Sequence, residues 1–153
     1  ASERAAVDGR SGSRRDVPMT YRALGTANAI ASGVFGLAAL LVPTALASLY
    51  AITFDGAAVY VARLLGGSYV GYAIASFLTR DTSDRATRRA IAAANGFAWA
   101  AGCVVSTFVQ LQGLANGFGW ATAALELGFA VGWIWTYLAE RPSRPEPQGA
   151  AAR

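Results

Sequence analysis

The sequence contains no histidine and no lysine, and its one cysteine, Cys103, lies inside an apolar run. Without histidine the chain has no imidazole to ligate haem, bacteriochlorophyll or zinc, or to act as a general acid or base. With a single cysteine it forms no intrachain disulfide. Charge is scarce as well. Charged residues make up 14% of the 153 positions, against about 25% in a typical soluble domain.

Long apolar runs fill most of the chain, in which 54% of the residues are hydrophobic. Four of these runs are about 20 residues long, enough for a helix to cross a bilayer core of roughly 30 Å. They predict an all-α integral membrane protein, a four-transmembrane-helix bundle that forms a single domain over residues 21–139. The expected spans are residues 23–42, 57–78, 90–111 and 118–138. The polar segments 1–20 and 140–153 are expected to be disordered cytoplasmic tails.

The first two runs are joined by a connector, residues 43–56, that has no basic residue. Pro43 ends the first run, because proline cannot continue a helix that precedes it. The apolar positions that follow predict a short helix lying in the membrane interface, with Tyr50 at the depth of the lipid headgroups.

All 13 positive charges are arginines, and 12 of them flank the apolar runs. They occur before the first run, between the second and third, and after the fourth, whereas the other two connections have none. By the positive-inside rule both termini and the middle loop lie in the cytoplasm. The pattern predicts a multi-pass protein of a bacterial inner (plasma) membrane. Because arginines that flank membrane helices account for the basic charge, nucleic-acid binding is not needed to explain it.

The chain contains an internal repeat. The segment from Arg22 to Asn28 recurs in pattern as the segment from Arg89 to Asn95: an arginine, an alanine, an aliphatic residue and a final Ala-Asn. We interpret this as two duplicated helical hairpins related by an axis along the membrane normal; chance similarity between alanine-rich helices is the alternative. The duplication puts the two asparagines at one depth, either as hydrogen-bonding glue between helices or as a polar mouth for a ligand.

Two charges lie deep in apolar runs, Arg63 in the second and Glu126 in the fourth. At 1.5 Å per residue both fall in the outer half of the membrane, at nearly the same depth. A charge there needs a partner. Three alternatives follow: a structural ion pair, a functional site that binds a ligand or proton, or an unpaired Arg63 that reaches outward to Asp55 or lipid phosphate. Tyr60 shares a helix face with Arg63, and Trp133 shares one with Glu126.

Several aromatic residues lie deeper than the membrane interfaces. Core packing accounts for them, but buried tyrosine and tryptophan also need partners for their polar atoms, so they are candidates to line a cavity. They are Tyr60, Tyr69, Tyr72, Trp99 and Trp133.

Small residues recur at every fourth position in the apolar runs. Gly67 and Gly71 have this spacing, and so do Gly128 and Gly132. Such rows are typical of membrane helices whose backbones approach closely.

The stretch from Ala62 to Gly67, Ala-Arg-Leu-Leu-Gly-Gly, follows a proline-containing connector. In this it resembles the small four-helix bacterial inner-membrane proteins of the DoxX-like kind, over roughly residues 22–138. The resemblance implies the four-helix fold and no particular activity. The catalytic histidines of superficially similar four-helix sterol isomerases have no counterpart in this sequence.

No nucleophile with a base, metal cluster or phosphate loop is recognisable in the sequence, which argues against an enzyme and gives no reason to expect a cofactor. We therefore expect a small non-enzymatic membrane protein, either an accessory subunit or a binder of a lipid-like or quinone-like apolar ligand. The alternative is a small transporter, a proton or solute pathway that uses Arg63 and Glu126. The expected partners are the lipid bilayer and either a larger membrane protein complex or a second copy of the chain.

Overall fold

The computed structural model describes residues 19–140. Within that range the chain is all-helical and contains no β-strand. The segments expected to be disordered, 1–20 and 140–153, lie outside the described residues except for positions 19, 20 and 140. The five helices are α1 (Met19–Leu41), α2 (Pro43–Leu49), α3 (Gly56–Thr79), α4 (Arg85–Leu111) and α5 (Phe118–Ala139).

Three of the five helices are long and apolar enough to cross a membrane: α1 from Thr20, α3 and α4. Helix α5 has a similar length of 22 residues. It falls outside this set because Glu126 and its polar aromatic residues lower its mean hydropathy. A membrane protein with three candidate spans is thus supported by the structure, and a fourth span by the apolar run alone.

Local sequence explains where the helices begin and end. Asp55 and Asp84 each precede a helix, and their carboxylates accept hydrogen bonds from Ala58 N at 2.7 Å and Thr87 N at 2.8 Å. Such caps satisfy amide groups that have no partner within the helix. Pro43 is the first residue of α2, so the predicted short helix in the connector is confirmed.

Helix α2 ends in a left-handed turn at an alanine. Ala51 has a φ of 58°. The amides of Ile52 and Ala51 reach back to the carbonyls of Ala47 and Ser48, at 3.1 and 3.0 Å. This is the bond pattern with which many helices terminate, usually with glycine at the left-handed position.

The four long helices form two antiparallel hairpins. Helix α1 packs along α3 and α4 packs along α5, whereas contacts between the hairpins are few. The arrangement agrees with the duplicated hairpins expected from the repeat. It also brings the arginine-rich connections to one end of the bundle, where Arg22 pairs with Asp81 at 2.9 Å. We call this the arginine end.

The first hairpin closes at two glycines. A Cβ added to Gly66 would lie 2.6 Å from Leu40 N and 2.7 Å from Gly36 O, so the backbones of α1 and α3 touch there. The rows expected from spacing behave differently. Gly67, Gly71 and Gly128 have no atom within 4 Å of the Cβ position, so they mediate no packing among the described residues.

Candidate functional site

All four long helices meet at the side chain of Asn28, which has no solvent-exposed surface. Its Nδ2 donates to Ser76 Oγ on α3 at 2.8 Å and to Asn95 Oδ1 on α4 at 3.3 Å. Its Oδ1 accepts from the indole nitrogens of Trp99 on α4 and, at 3.2 Å, Trp133 on α5. We call these five residues the Asn28 cluster.

The Asn28 cluster uses the full hydrogen-bonding capacity of one amide. A carboxamide has two N–H donors and an oxygen that accepts twice, and here each finds a partner. A buried amide without such partners would cost about 1–3 kcal/mol per unsatisfied group. The cluster therefore fixes how the two hairpins face each other, and it joins Asn28 to Asn95, the two asparagines that the repeat places at one depth.

Ser76 and Ser32 were not among the residues predicted from the sequence, and Trp99 was predicted only as one of the deep aromatic residues. Ser32 is buried on α1 one turn after Asn28, and Trp99 lies one turn after Asn95. Residues four apart share a helix face, so both could have been found from the asparagines. Ser76 carries no comparable signal, because its side of α3 depends on how the hairpin is rotated.

A cavity of about 180 Å³ adjoins the cluster, in the gap between the hairpins. Its floor is polar and buried, formed by Ser32, Asn95 and Trp99, while its mouth is formed by the exposed Leu65 and Ser68 on α3. Tyr69, one of the predicted lining residues, is part of the wall. The cavity thus connects a hydrogen-bonding floor with the apolar outer surface of the bundle.

The structure does not form the predicted Arg63–Glu126 ion pair. Arg63 lies on the exposed face of α3, together with Tyr60, which is 65% exposed and lines no described cavity. Neither charge takes part in any ion pair of the described residues. The physical reason is packing: α3 and α5 belong to different hairpins and barely touch. Matched depth does not bring two helices into contact.

Glu126 lies in the interface between α4 and α5 instead. The residue is only 7% exposed, and a Cβ added to Gly102 would lie 2.9 Å from Oε1. Oε2 has no hydrogen-bond partner among the described residues. Glycine at position 102 gives the carboxyl its space. A ligand role for Glu126 alone stays a prediction.

An ion pair closes the second hairpin at the arginine end. Arg88 Nε and Nη2 donate to the two carboxylate oxygens of Glu140 at 2.7 and 3.1 Å, and Arg85 Nε donates at 3.0 Å. Arg88 Nη1 also donates to the backbone carbonyl of Ser83 at 3.0 Å. A bidentate contact of this kind is stronger and more directional than a single charged hydrogen bond.

The ion pair predicts a pH-dependent stability. Hydrogen bonds from Arg88, and then from Arg85, lower the pKa of the Glu140 carboxyl. A carboxyl with a depressed folded-state pKa stabilises the fold above its unfolded value, near 4.3, and loses that contribution as pH falls through the folded value. In detergent, Glu140→Gln should unfold about 1–2 kcal/mol more easily at pH 7. Thermal unfolding between pH 7 and pH 3 measures this.

The difference in free energy of unfolding between wild type and Glu140→Gln should shrink as the pH falls. Protonation removes the charge of Glu140 in the wild type, and the glutamine variant has no charge at that position to lose. Asp55→Asn is the matched control, since Asp55 caps α3 at the opposite end and touches no arginine among its described contacts. A gap between wild type and Glu140→Gln that is constant with pH would contradict the assignment.

Comparison with known proteins gives one family. The family model described as "Domain of unknown function (DUF8292)" matches residues 26–139, which include every residue of the Asn28 cluster and of the cavity. No curated protein and no solved structure matches the chain.

Proposed function

Because the chain belongs to the DUF8292 family, whose description names no activity, we propose a function from its geometry. The protein is a small non-enzymatic binder of a lipid-like or quinone-like molecule, embedded in a bacterial inner membrane. The observation that carries the proposal is the cavity beside the Asn28 cluster, with a polar floor and an apolar mouth.

The proposed topology has four spans, with α5 as the fourth and both termini in the cytoplasm. It is supported by the arginine end, which collects Arg22, Arg80, Arg85, Arg88 and Arg89. The loops at the opposite end, residues 50–55 and 112–117, contain no basic residue. Cytoplasmic loops carry such an excess of arginine.

The size of the cavity indicates the part of a ligand that it holds. Pockets for whole drug-sized ligands measure roughly 300–1,000 Å³, whereas this one measures about 180 Å³. It suits one ring or headgroup with hydrogen-bonding oxygens, which the hydroxyls of Ser32 and Ser68 could meet. The tail of the molecule would leave past Leu65 into the bilayer, because that side chain is 54% exposed.

Binding is favoured over catalysis because the polar groups on the cavity floor are neutral, and those of Asn95 and Trp99 donate to Ser76 and Asn28 of the Asn28 cluster. A proton or solute pathway built on Arg63 and Glu126 has less support, because those residues lie on different faces of different hairpins.

The test is to obstruct the cavity. Ala98 lines the cavity on α4 and is half-buried, so Ala98→Phe places a ring in the space without removing any bond of the cluster. A short-tailed quinone analogue should quench the tryptophan fluorescence of the purified wild type with a saturable dependence on concentration, because Trp99 lines the cavity. We expect Ala98→Phe to weaken that binding by about tenfold or more, a free-energy loss of at least about 1.4 kcal/mol.

The matched control is Ala101→Phe, which adds the same ring to an exposed position of α4 outside the cavity. It should bind the analogue as the wild type does. Mass spectrometry of small molecules that co-purify with each variant provides a second readout. Equal quenching and equal co-purified material in Ala98→Phe and wild type would reject the cavity as the site.

A further inference from the structure

A second feature, separate from the cavity, runs along the outer surface of the second hairpin. Two adjoining hollows of about 510 and 330 Å³ lie between α4 and α5 and share Ala93 and Tyr137. Together they form one groove from Arg85 to Ala100, which we call the α4–α5 groove. None of its lining residues lines the cavity beside the Asn28 cluster.

Small side chains make the groove. Ala93 and Gly96 lie along its α4 side, and Ile134 forms part of the α5 side. Phe97, which is 79% exposed, borders the same hollow. The part of the groove that lies away from the arginine end therefore offers only apolar contacts, apart from the Tyr137 hydroxyl.

The end of the groove at the arginine end is cationic. Arg85 and Arg89 lie one helical turn apart on α4 and both border the wider hollow. Arg89 Nη2 donates to Tyr137 Oη at 3.2 Å, and its guanidinium lies 4.7 Å from the centre of that ring. The only carboxylate lining the described groove is Glu140, which is already bonded to Arg88 and Arg85. Positive charge is thus in excess at this end.

The length of the groove matches a lipid chain. The 16 residues from Arg85 to Ala100 are separated by 15 helical steps, which rise about 22 Å at roughly 1.5 Å each. Half of a bilayer core is about 15 Å thick, so the groove spans one leaflet and reaches the headgroup region. An occupant with a negative group at one end and a single long apolar chain at the other fits both its charge and its length.

We propose that the α4–α5 groove binds an anionic phospholipid, with the phosphate between Arg85 and Arg89 and one acyl chain along Ala93 and Gly96. Basic pockets on the cytoplasmic side of membrane helices recognise anionic headgroups in this way. The site does not depend on the ligand proposed for the cavity.

The experiment uses the purified full chain in mixed micelles with equal amounts of phosphatidylglycerol and phosphatidylcholine, and native mass spectrometry counts the bound lipids. Wild type should retain phosphatidylglycerol preferentially. Arg85→Gln with Arg89→Gln should reduce that preference by about fivefold for each arginine replaced. Arg89→Gln alone leaves the Glu140 ion pair intact, so it decides the matter if the double variant does not fold.

Two further variants separate the groove from general surface charge. Ala93→Phe, which fills the groove, should lower retention of both lipids, whereas Ala94→Phe on the neighbouring exposed face should not. Arg63→Gln removes an exposed arginine remote from the groove and should leave the preference unchanged. Equal lipid preference in wild type and the arginine variants would overturn the proposal.

The occupant itself is identified by a photo-reactive amino acid in place of Phe97. Irradiation in native membranes should add the mass of a phospholipid to the chain. A crosslink to residues 141–153, or to a second copy of the chain, would instead show that protein fills the groove and would overturn the lipid assignment.

Discussion

Replacing Asn28 by leucine should lower the free energy of unfolding by about 2–4 kcal/mol, as hydrogen bonds in the membrane are individually modest but several are lost at once. Leucine has nearly the same size, so the effect comes from polar groups rather than from a void. The substitution leaves the indole N–H groups of Trp99 and Trp133 without their acceptor. Both are buried. Titration with a denaturing detergent, followed by circular dichroism, gives the loss.

Two variants calibrate this result. Asn95→Leu should cost less than Asn28→Leu, because Asn95 bonds Asn28, Ser76 and a backbone carbonyl but no tryptophan. Thr26→Val should have little effect, since the exposed Thr26 hydroxyl bonds only the carbonyl of Arg22 in its own helix. If Asn28→Leu were no more damaging than Thr26→Val, the four-helix role of the Asn28 cluster would be wrong.

Replacing Gly66 by alanine should destabilise the protein by about 2–3 kcal/mol, within the range for overpacked interiors. The new Cβ would meet backbone atoms of Leu40 and Gly36 at 2.6 and 2.7 Å, and backbone cannot rotate away. Helices α1 and α3 must then separate, which disturbs the whole first hairpin. The same detergent titration measures the change.

The neighbouring glycine is the matched control. A Cβ at Gly67 meets nothing within 4 Å, and alanine is intrinsically a better helix former than glycine by up to about 1 kcal/mol. Gly67→Ala should therefore be neutral or slightly stabilising. If the two alanine variants behaved alike, the closest approach of α1 and α3 would not be at Gly66.

Composition and the length of apolar runs were enough to predict helices, their approximate positions and the short helix at Pro43. The repeat was enough to place Asn28 and Asn95 at one depth, but not to predict which side chains they would bond. These features depend on the spacing of residues along one helix or on matched positions in two helices. Both kinds of information are present in a single sequence.

The position of Arg63 could not be obtained in this way. Depth in the membrane follows from residue number, but the direction of a side chain depends on how its helix is rotated against its neighbour. The buried side of α3 is set by Gly66, Ala73 and Ser76, and Arg63 lies beside it rather than on it. The spacing of Gly67 and Gly71 misled for the same reason, because it identifies a smooth face without saying what lies against it.

The cavity beside the Asn28 cluster was even harder to predict from the sequence. It lies where α3 and α4 make few contacts with each other, and the shape of such a gap depends on all of the packing around it. Its polar floor can be traced to the asparagines, but its apolar mouth at Leu65 cannot.

The Asn28 cluster has a consequence for the synthesis and membrane insertion of the protein. A ribosome delivers α1 and α3 before α4 and α5, so for a time the first pair sits in the membrane with the Asn28 carboxamide lacking the acceptor and indoles that later surround it. In that intermediate the carboxamide has unsatisfied polar groups, which cost about 1–3 kcal/mol each when they are buried. Trp133 on α5 supplies the final partner of Asn28 among the described helices, so the cluster is complete only once α5 has packed against the other three.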